Sequence, residues 1–103
     1  MLDQTFSALA DPNRRAILER LAIGSMSVGD LQEPFDISGP AISRHLRVLQ
    51  TAGLITNERV GKGRLCTLVA APLSDASQWM NFHARFWSGS LDRLEKYVRT
   101  QND

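Results

Sequence analysis

Arg44 and Arg47 lie one helical turn apart, with Ser43 beside them and the small run Ser38-Gly39-Pro40-Ala41 just upstream. A guanidinium offers a planar fork of N–H donors that matches guanine O6/N7 or a phosphate, and a serine hydroxyl both donates and accepts. Small residues at a helix start let another backbone approach, and the free amides there favour anionic or acceptor groups. A second basic group, Arg59, Lys62 and Arg64, surrounds Gly61 and Gly63. Flexible glycines with basic side chains suit phosphate or minor-groove contact. The formal net charge is only +1, but it is unevenly placed. Residues 38–64 carry five basic residues against Glu58 alone, whereas residues 1–37 carry six acids against Arg14, Arg15 and Arg20. A compact basic segment in a near-neutral protein is the footprint of a small DNA-contacting surface. By charge alone it reads equally well as a solvated face, and the hairpin charges as edge protection.

The pattern around these residues says what positions them. Ile42, Leu46 and Leu49 recur at i, i+4, i+7 and predict a helix over 39–51. Ala41, His45 and Val48 flank that stripe, and Ser43, Arg44, Arg47 and Gln50 fall on the opposite face. Ser38 is a suitable N-cap, and Gly53 sits where a left-handed C′ residue is expected. His45, on the inward flank, reads as a structural histidine. Upstream, Ser27-Val28-Gly29-Asp30 resembles a capping box that opens a short helix to about Glu33, and 34–37 form a tight connection. Asp11-Pro12 opens a helix over 12–22 that buries Ile17, Leu18 and Leu21, turns its arginines outward and ends at Gly24. Residues 3–9 form a first short helix, with Leu2, Phe6 and Leu9 on one side.

Downstream, Leu54–Val60 and Arg64–Val69 are β-like runs joined by Gly61-Lys62-Gly63, a hairpin signal. The last element is a long helix over 73–98. Its stripe runs Leu73, Ala76, Met80, His83, Trp87, Leu91, Leu94, Val98, and Trp79, Phe82 and Phe86 widen it. Such a helix is roughly 40 Å long, more than so small a domain covers, so its apolar face calls for a partner chain. Its aromatics read as core or dimer contact in preference to a ligand pocket. The expected fold is mainly α with a small β-hairpin. It is a single winged helix-turn-helix domain over 1–103, with 1–22 and 73–98 as core and dimerisation helices, 27–53 as helix-turn-helix and 54–69 as wing.

Several function classes are disfavoured. No run approaches the roughly 20 apolar residues of a membrane span, and the N-terminus lacks a basic start and apolar stretch, so a cytoplasmic protein is expected. The single cysteine, Cys66, forms no internal disulfide and reads as a small buried hydrophobe in preference to a redox sensor. There is no nucleophile–base set, carboxylate pair or phosphate-binding glycine motif, which argues against an enzyme, and no cofactor is implied.

Residues 38–64, from Ser-Gly-Pro-Ala-Ile-Ser-Arg-His-Leu through Ala-Gly-Leu-Ile to the glycine-flanked Lys62, closely resemble the recognition helix and wing of the ArsR/SmtB-like repressors. Residues 9–21, Leu-Ala-Asp-Pro-Asn-Arg-Arg-Ala-Ile-Leu-Glu-Arg-Leu, are similar to the same family. The resemblance implies a homodimer built from the first and last helices and two recognition helices in successive major grooves. It also implies repression relieved by an effector, which the sequence does not identify. It places Ser38, Gly39, Pro40, Ser43, Arg44 and the wing basics among the contacts to double-stranded DNA.

The family's metal-ligand motifs are missing. Residues 27–37 hold no cysteine. Neither Asp-x-His nor His-x-x-Glu occurs, because Ser43 and Asn81 stand two before the histidines and Val48 and Phe86 three after. The expected DNA set is therefore Ser38, Gly39, Pro40, Ala41, Ser43, Arg44, Arg47, Arg59, Lys62 and Arg64, with no metal site. The expected dimer set is Leu2, Phe6, Trp79, Met80, His83, Trp87, Leu91 and Leu94. Two alternatives stay open: a winged-helix module for protein association without specific DNA binding, and a repressor sensing an unidentified ligand or redox state.

Overall fold

The computed structural model describes residues 2–102, so the end residues of the 1–103 span, Met1 and Asp103, lie outside the described residues. The chain runs α1 (Leu2–Leu9), α2 (Pro12–Ile23), β1 (Met26–Ser27), α3 (Val28–Gln32), α4 (Gly39–Thr51), β2 (Ile55–Val60), β3 (Gly63–Leu68) and α5 (Ala71–Asn102). Local chemistry sets most of these boundaries. Asp11 accepts from the amides of Asn13 (2.8 Å) and Arg14 (3.1 Å), with Pro12 in the first helical turn where its missing N–H costs nothing. The Asp30 amide donates to Ser27 Oγ at 3.1 Å, and the Ala41 amide to Ser38 Oγ at 3.2 Å. Gly53 takes φ +75°, and the amides of Gly53 and Leu54 donate to the carbonyls of Gln50 and Leu49, a Schellman end for α4.

One cluster holds the helix-turn-helix together. Ile17, Leu18 and Leu21 of α2, Leu31 of α3 and Ile42, Leu46 and Leu49 of α4 are buried with Leu54, Ile55 and Cys66. Each large aliphatic side chain removed from water here contributes about 1.5–3 kcal/mol.

The structure departs from expectation in four places. Among the described residues the sheet has three strands in the order β1-β3-β2, where only a hairpin was expected. β1 pairs Met26 with Cys66 and Ser27 with Leu65, too short a run to leave a periodicity in sequence. The hairpin turn is two residues, Gly61-Lys62, with φ +60° at Gly61. Gly63 pairs with Val60 instead of belonging to the loop, the pattern of a II′ turn. The α2 arginines do not simply face outward. Arg14 donates from Nε to the Ala8 carbonyl (2.7 Å) and from Nη2 to that of Ser7 (3.1 Å), and Arg15 from Nη1 to that of Leu9 (2.7 Å). They satisfy the orphan carbonyls at the end of α1, which has no basic residue of its own there. Helix α1 buries Thr5 and Ala8 and leaves Leu2, Phe6 and Leu9, its expected one-sided stripe, half-buried in the single chain.

The last helix is longer than expected at both ends, 32 residues or about 48 Å. Ala76 is buried and Leu73 packs on the core, and Phe6 meets Trp79 edge-to-face at 5.8 Å. Beyond this root the helix projects away from the body, which stretches the molecule to 68 Å along its long axis.

Candidate nucleic-acid interface

Helix α4 is fixed from behind. Ile42, Leu46 and Leu49 are at most 2% exposed, whereas Ser43, Arg44 and Arg47 stand in solvent on the other side. Ser38 and Pro40 are exposed, and Gly39 and Ala41 are half-buried. Ser38 Oγ is occupied as an acceptor by the helix cap, so its O–H remains to donate. At Gly39 a Cβ would stand 3.5 Å from the Gln32 side chain, an ordinary contact, so the fold itself does not demand glycine there.

The arginines divide by whether they have partners within the chain. Arg14, Arg15 and Arg20 are committed to backbone carbonyls of Ala8, Leu9 and Asp30, among others. Among the described residues, Arg44, Arg47, Arg59 and Lys62 make no hydrogen bond or ion pair and are exposed. Unpaired cations around one face are free to neutralise phosphates. Arg64 differs from the other wing cations. Instead of extending at the tip it folds back on its own sheet, donating from Nε to Asn57 Oδ1 (2.9 Å) and from Nη2 to the Asn57 carbonyl (3.3 Å).

A groove of about 490 Å³ separates α4 from the wing, walled by Ser43, Arg47 and Gln50 on one side and Asn57, Gly63 and Arg64 on the other. Ser27 and Gly29, at the start of α3, close one end. The structure thus brings Ser43, Arg47 and Arg64 to one groove, which Arg59 and Lys62 do not line. Gln50 and Asn57 are groove residues that the expected DNA set omits. Asn57 alternates with Ile55 and Arg59 on one sheet face, the only signal for it in sequence.

His45 faces the body of the protein, on the side its place on the helix predicts. It is 16% exposed, with Nδ1 3.5 Å from Arg14 Nη1 and 4.0 Å from Asp11 Oδ1. Asp11 therefore sits between an N-terminal helix cap and two potential cations. Burial alone would raise its pKa. The Arg14 and Asn13 amides, with the charges of His45 and Arg14, outweigh this and hold it below the ordinary carboxylate value. Cys66 is fully buried, and burial pushes its thiol up, partly opposed by Arg64, which makes it a poor thiolate.

On α5, Trp79, Met80, Trp87, Leu91 and Leu94 are each about half exposed, from 45% for Trp79 to 59% for Leu91. Phe82, Phe86, Tyr97 and Val98 extend the same apolar surface. His83 stacks on Trp79 at 4.2 Å and its Nδ1–H donates to the Trp79 carbonyl at 2.9 Å, which leaves only Nε2 unengaged. Phe6 adjoins this surface through Trp79, and Leu2 lies nearer the start of α5, lining a cavity with Pro72 and Asp75. Among the described residues no three His, Cys, Asp or Glu side chains group so as to hold a metal ion, and no helix is long and apolar enough to cross a membrane.

Residues 9–58 match a family described as a helix-turn-helix domain. The chain is 37% identical to the HTH-type transcriptional regulator Rv2034 of Mycobacterium tuberculosis, over 98% of this chain and 92% of that protein. A crystal structure of an ArsR family transcriptional regulator superposes with a TM-score of 0.78 at 34% identity, covering 84% of this chain and 96% of the other. The chain belongs to the ArsR family of transcriptional regulators. It is also 40% identical to the transcriptional repressor SdpR of Bacillus subtilis, over 77% of this chain and 88% of that one. As an ArsR family member it is a regulator with a helix-turn-helix and not an enzyme. The chain shares the winged helix-turn-helix architecture of this family, with a three-stranded antiparallel sheet and a long terminal helix.

Proposed function

We propose that the protein is a cytoplasmic homodimeric repressor that reads a pseudo-palindromic operator and does not sense metals through the family's usual sites. The observation that carries this reading is the two-sidedness of α4. It is clamped by Ile42, Leu46 and Leu49, while Ser43, Arg44 and Arg47 stand exposed, the arginines with no partner among the described residues. A helix so held presents its outer side chains from a fixed backbone, which major-groove readout requires. Ser38, Gly39, Pro40 and Ala41 would approach the duplex at the helix start. Arg59, Lys62 and Arg64 would contact phosphates from the wing.

Pairing of α1 and α5 with a second copy would cover the apolar surface from Trp79 to Leu94 and place two copies of α4 one duplex turn apart, about 34 Å. In that arrangement 1–22 and 73–98 serve the dimer, 27–53 the helix-turn-helix and 54–69 the wing. Repression is supported by the repressor SdpR among the relatives. The absence of metal sensing is supported by the missing ligand motifs in 27–37 and on α5. Footprinting on the DNA upstream of the protein's own gene tests the reading. Two protected half-sites about one turn apart are expected; no protection, or a single unsplit patch, would refute it.

A further inference from the structure

Arg64 is the one basic residue of the expected DNA set whose direction the fold dictates, and Asn57 is the residue that dictates it. In the hairpin ladder Arg59 stands directly opposite Arg64, so both side chains leave the same face of the sheet. Two like charges at such a pair repel. Left alone, each guanidinium would move toward the solvent at the wing tip. Asn57 lies two residues before Arg59 on β2, diagonal to Arg64, and is half-buried. It draws the Arg64 guanidinium inward, away from Arg59, by taking Nε on its side-chain oxygen (2.9 Å) and Nη2 on its carbonyl (3.3 Å). Both residues line the groove that faces Ser43, Arg47 and Gln50 of α4. Nη1 has no partner among the described residues, so both of its N–H groups, with the second N–H of Nη2, are left to donate.

We propose that Asn57 is a positioning residue for DNA binding: it holds Arg64 across the α4–wing groove so that Nη1 meets a phosphate of the strand flanking the recognition helix, while Arg59 and Lys62 serve a separate contact at the tip. This rests on the reading of the protein as a DNA-binding regulator and adds to it a division of labour within the wing. Arg64 acts beside the major groove as part of the α4 surface. Arg59 and Lys62 act further along the duplex. Fixing a flexible side chain before binding removes an ordering cost, worth about two- to tenfold in affinity for one long side chain.

The test is a double-mutant cycle on DNA affinity, read by fluorescence anisotropy with a labelled mixed-sequence duplex. Phosphate contacts carry non-specific binding, so no operator is needed. Asn57→Ala is expected to weaken binding by about two- to tenfold in the parent chain and to change nothing in an Arg64→Ala background. Arg64→Ala should lower the slope of log affinity against log salt by about one. Asn57→Val, which favours a strand and offers no side-chain acceptor, should repeat the Asn57→Ala result with the hairpin kept. An equal loss in both backgrounds would mean that Asn57 contacts DNA itself or merely supports the hairpin, and would overturn the proposal. No loss in the parent chain would overturn it as well. If the parent showed no salt-dependent binding at all, the DNA-binding reading would fall and this assignment with it. If the parent bound but the cycle showed no coupling, only this assignment would fall.

Discussion

Replacing Arg44 by alanine removes a guanidinium that is exposed and makes no hydrogen bond or ion pair among the described residues. Its backbone sits mid-helix in α4, between the buried Ile42 and Leu46, and alanine is the better helix former. Folding should therefore be unaffected, with a stability change within about 0.5 kcal/mol. DNA binding should not be so forgiving. A bidentate contact to a base edge is worth about 1–3 kcal/mol, which is roughly 5- to 150-fold in affinity. A phosphate contact alone would instead weaken specific and random duplexes alike and lower the salt slope by about one. Thermal melts of parent and variant at one protein concentration, followed by anisotropy titrations on the footprinted operator and on a scrambled duplex, separate these effects. Unchanged affinity for both duplexes would remove Arg44 from the interface. A melting temperature lowered by several degrees would show that the side chain is part of the fold after all.

Arg14 makes the opposite case: Arg14→Ala frees the Ala8 carbonyl, takes one of two donors from the Ser7 carbonyl and removes the partner of the His45 ring, so it should cost about 1–2 kcal/mol and lower Tm by roughly 5–15 °C in a thermal melt. Asp11 has a folded-state pKa below its unfolded value, so its contribution is complete above the unfolded pKa and lost as pH falls through the folded one. Asp11→Asn keeps an N-cap oxygen and should flatten the stability–pH curve below about pH 4, as followed by urea melts across acid pH; an unchanged acid limb would contradict the assignment. Leu91→Asp places a charge in the exposed apolar face of α5, 59% exposed in the single chain, and should turn a dimer into a monomer in sedimentation velocity with the helix-turn-helix still folded.

How much could be read from the chain depended on how local the physics was. Caps made by Asp11, Ser27 and Ser38 act within three residues, and the i, i+4, i+7 stripe of α4 needs only its own helix, so both were legible. β1 was not, because two residues carry no alternation and Met26 pairs with Cys66, forty positions away. The arginines of α2 were read as outward for the same reason. Their partners are carbonyls of α1 that become acceptors only once the two helices meet. In the site, the exposure of Arg44 and Arg47 followed from periodicity. The inward turn of Arg64 depends on cross-strand register, which a hairpin pattern leaves open by one residue until the turn is known. With Gly61-Lys62 as the turn, Asn57 comes diagonal to Arg64, and the groove residue appears.

The most direct measurement of the central claim is the affinity of the purified protein for the duplex upstream of its own gene against a scrambled duplex, across a salt series. The reading of α4 as a DNA-reading helix predicts that log affinity falls linearly with log salt and that the upstream duplex is bound at least about 10³-fold more tightly. Binding insensitive to salt, or equal affinity for the two duplexes, would contradict it.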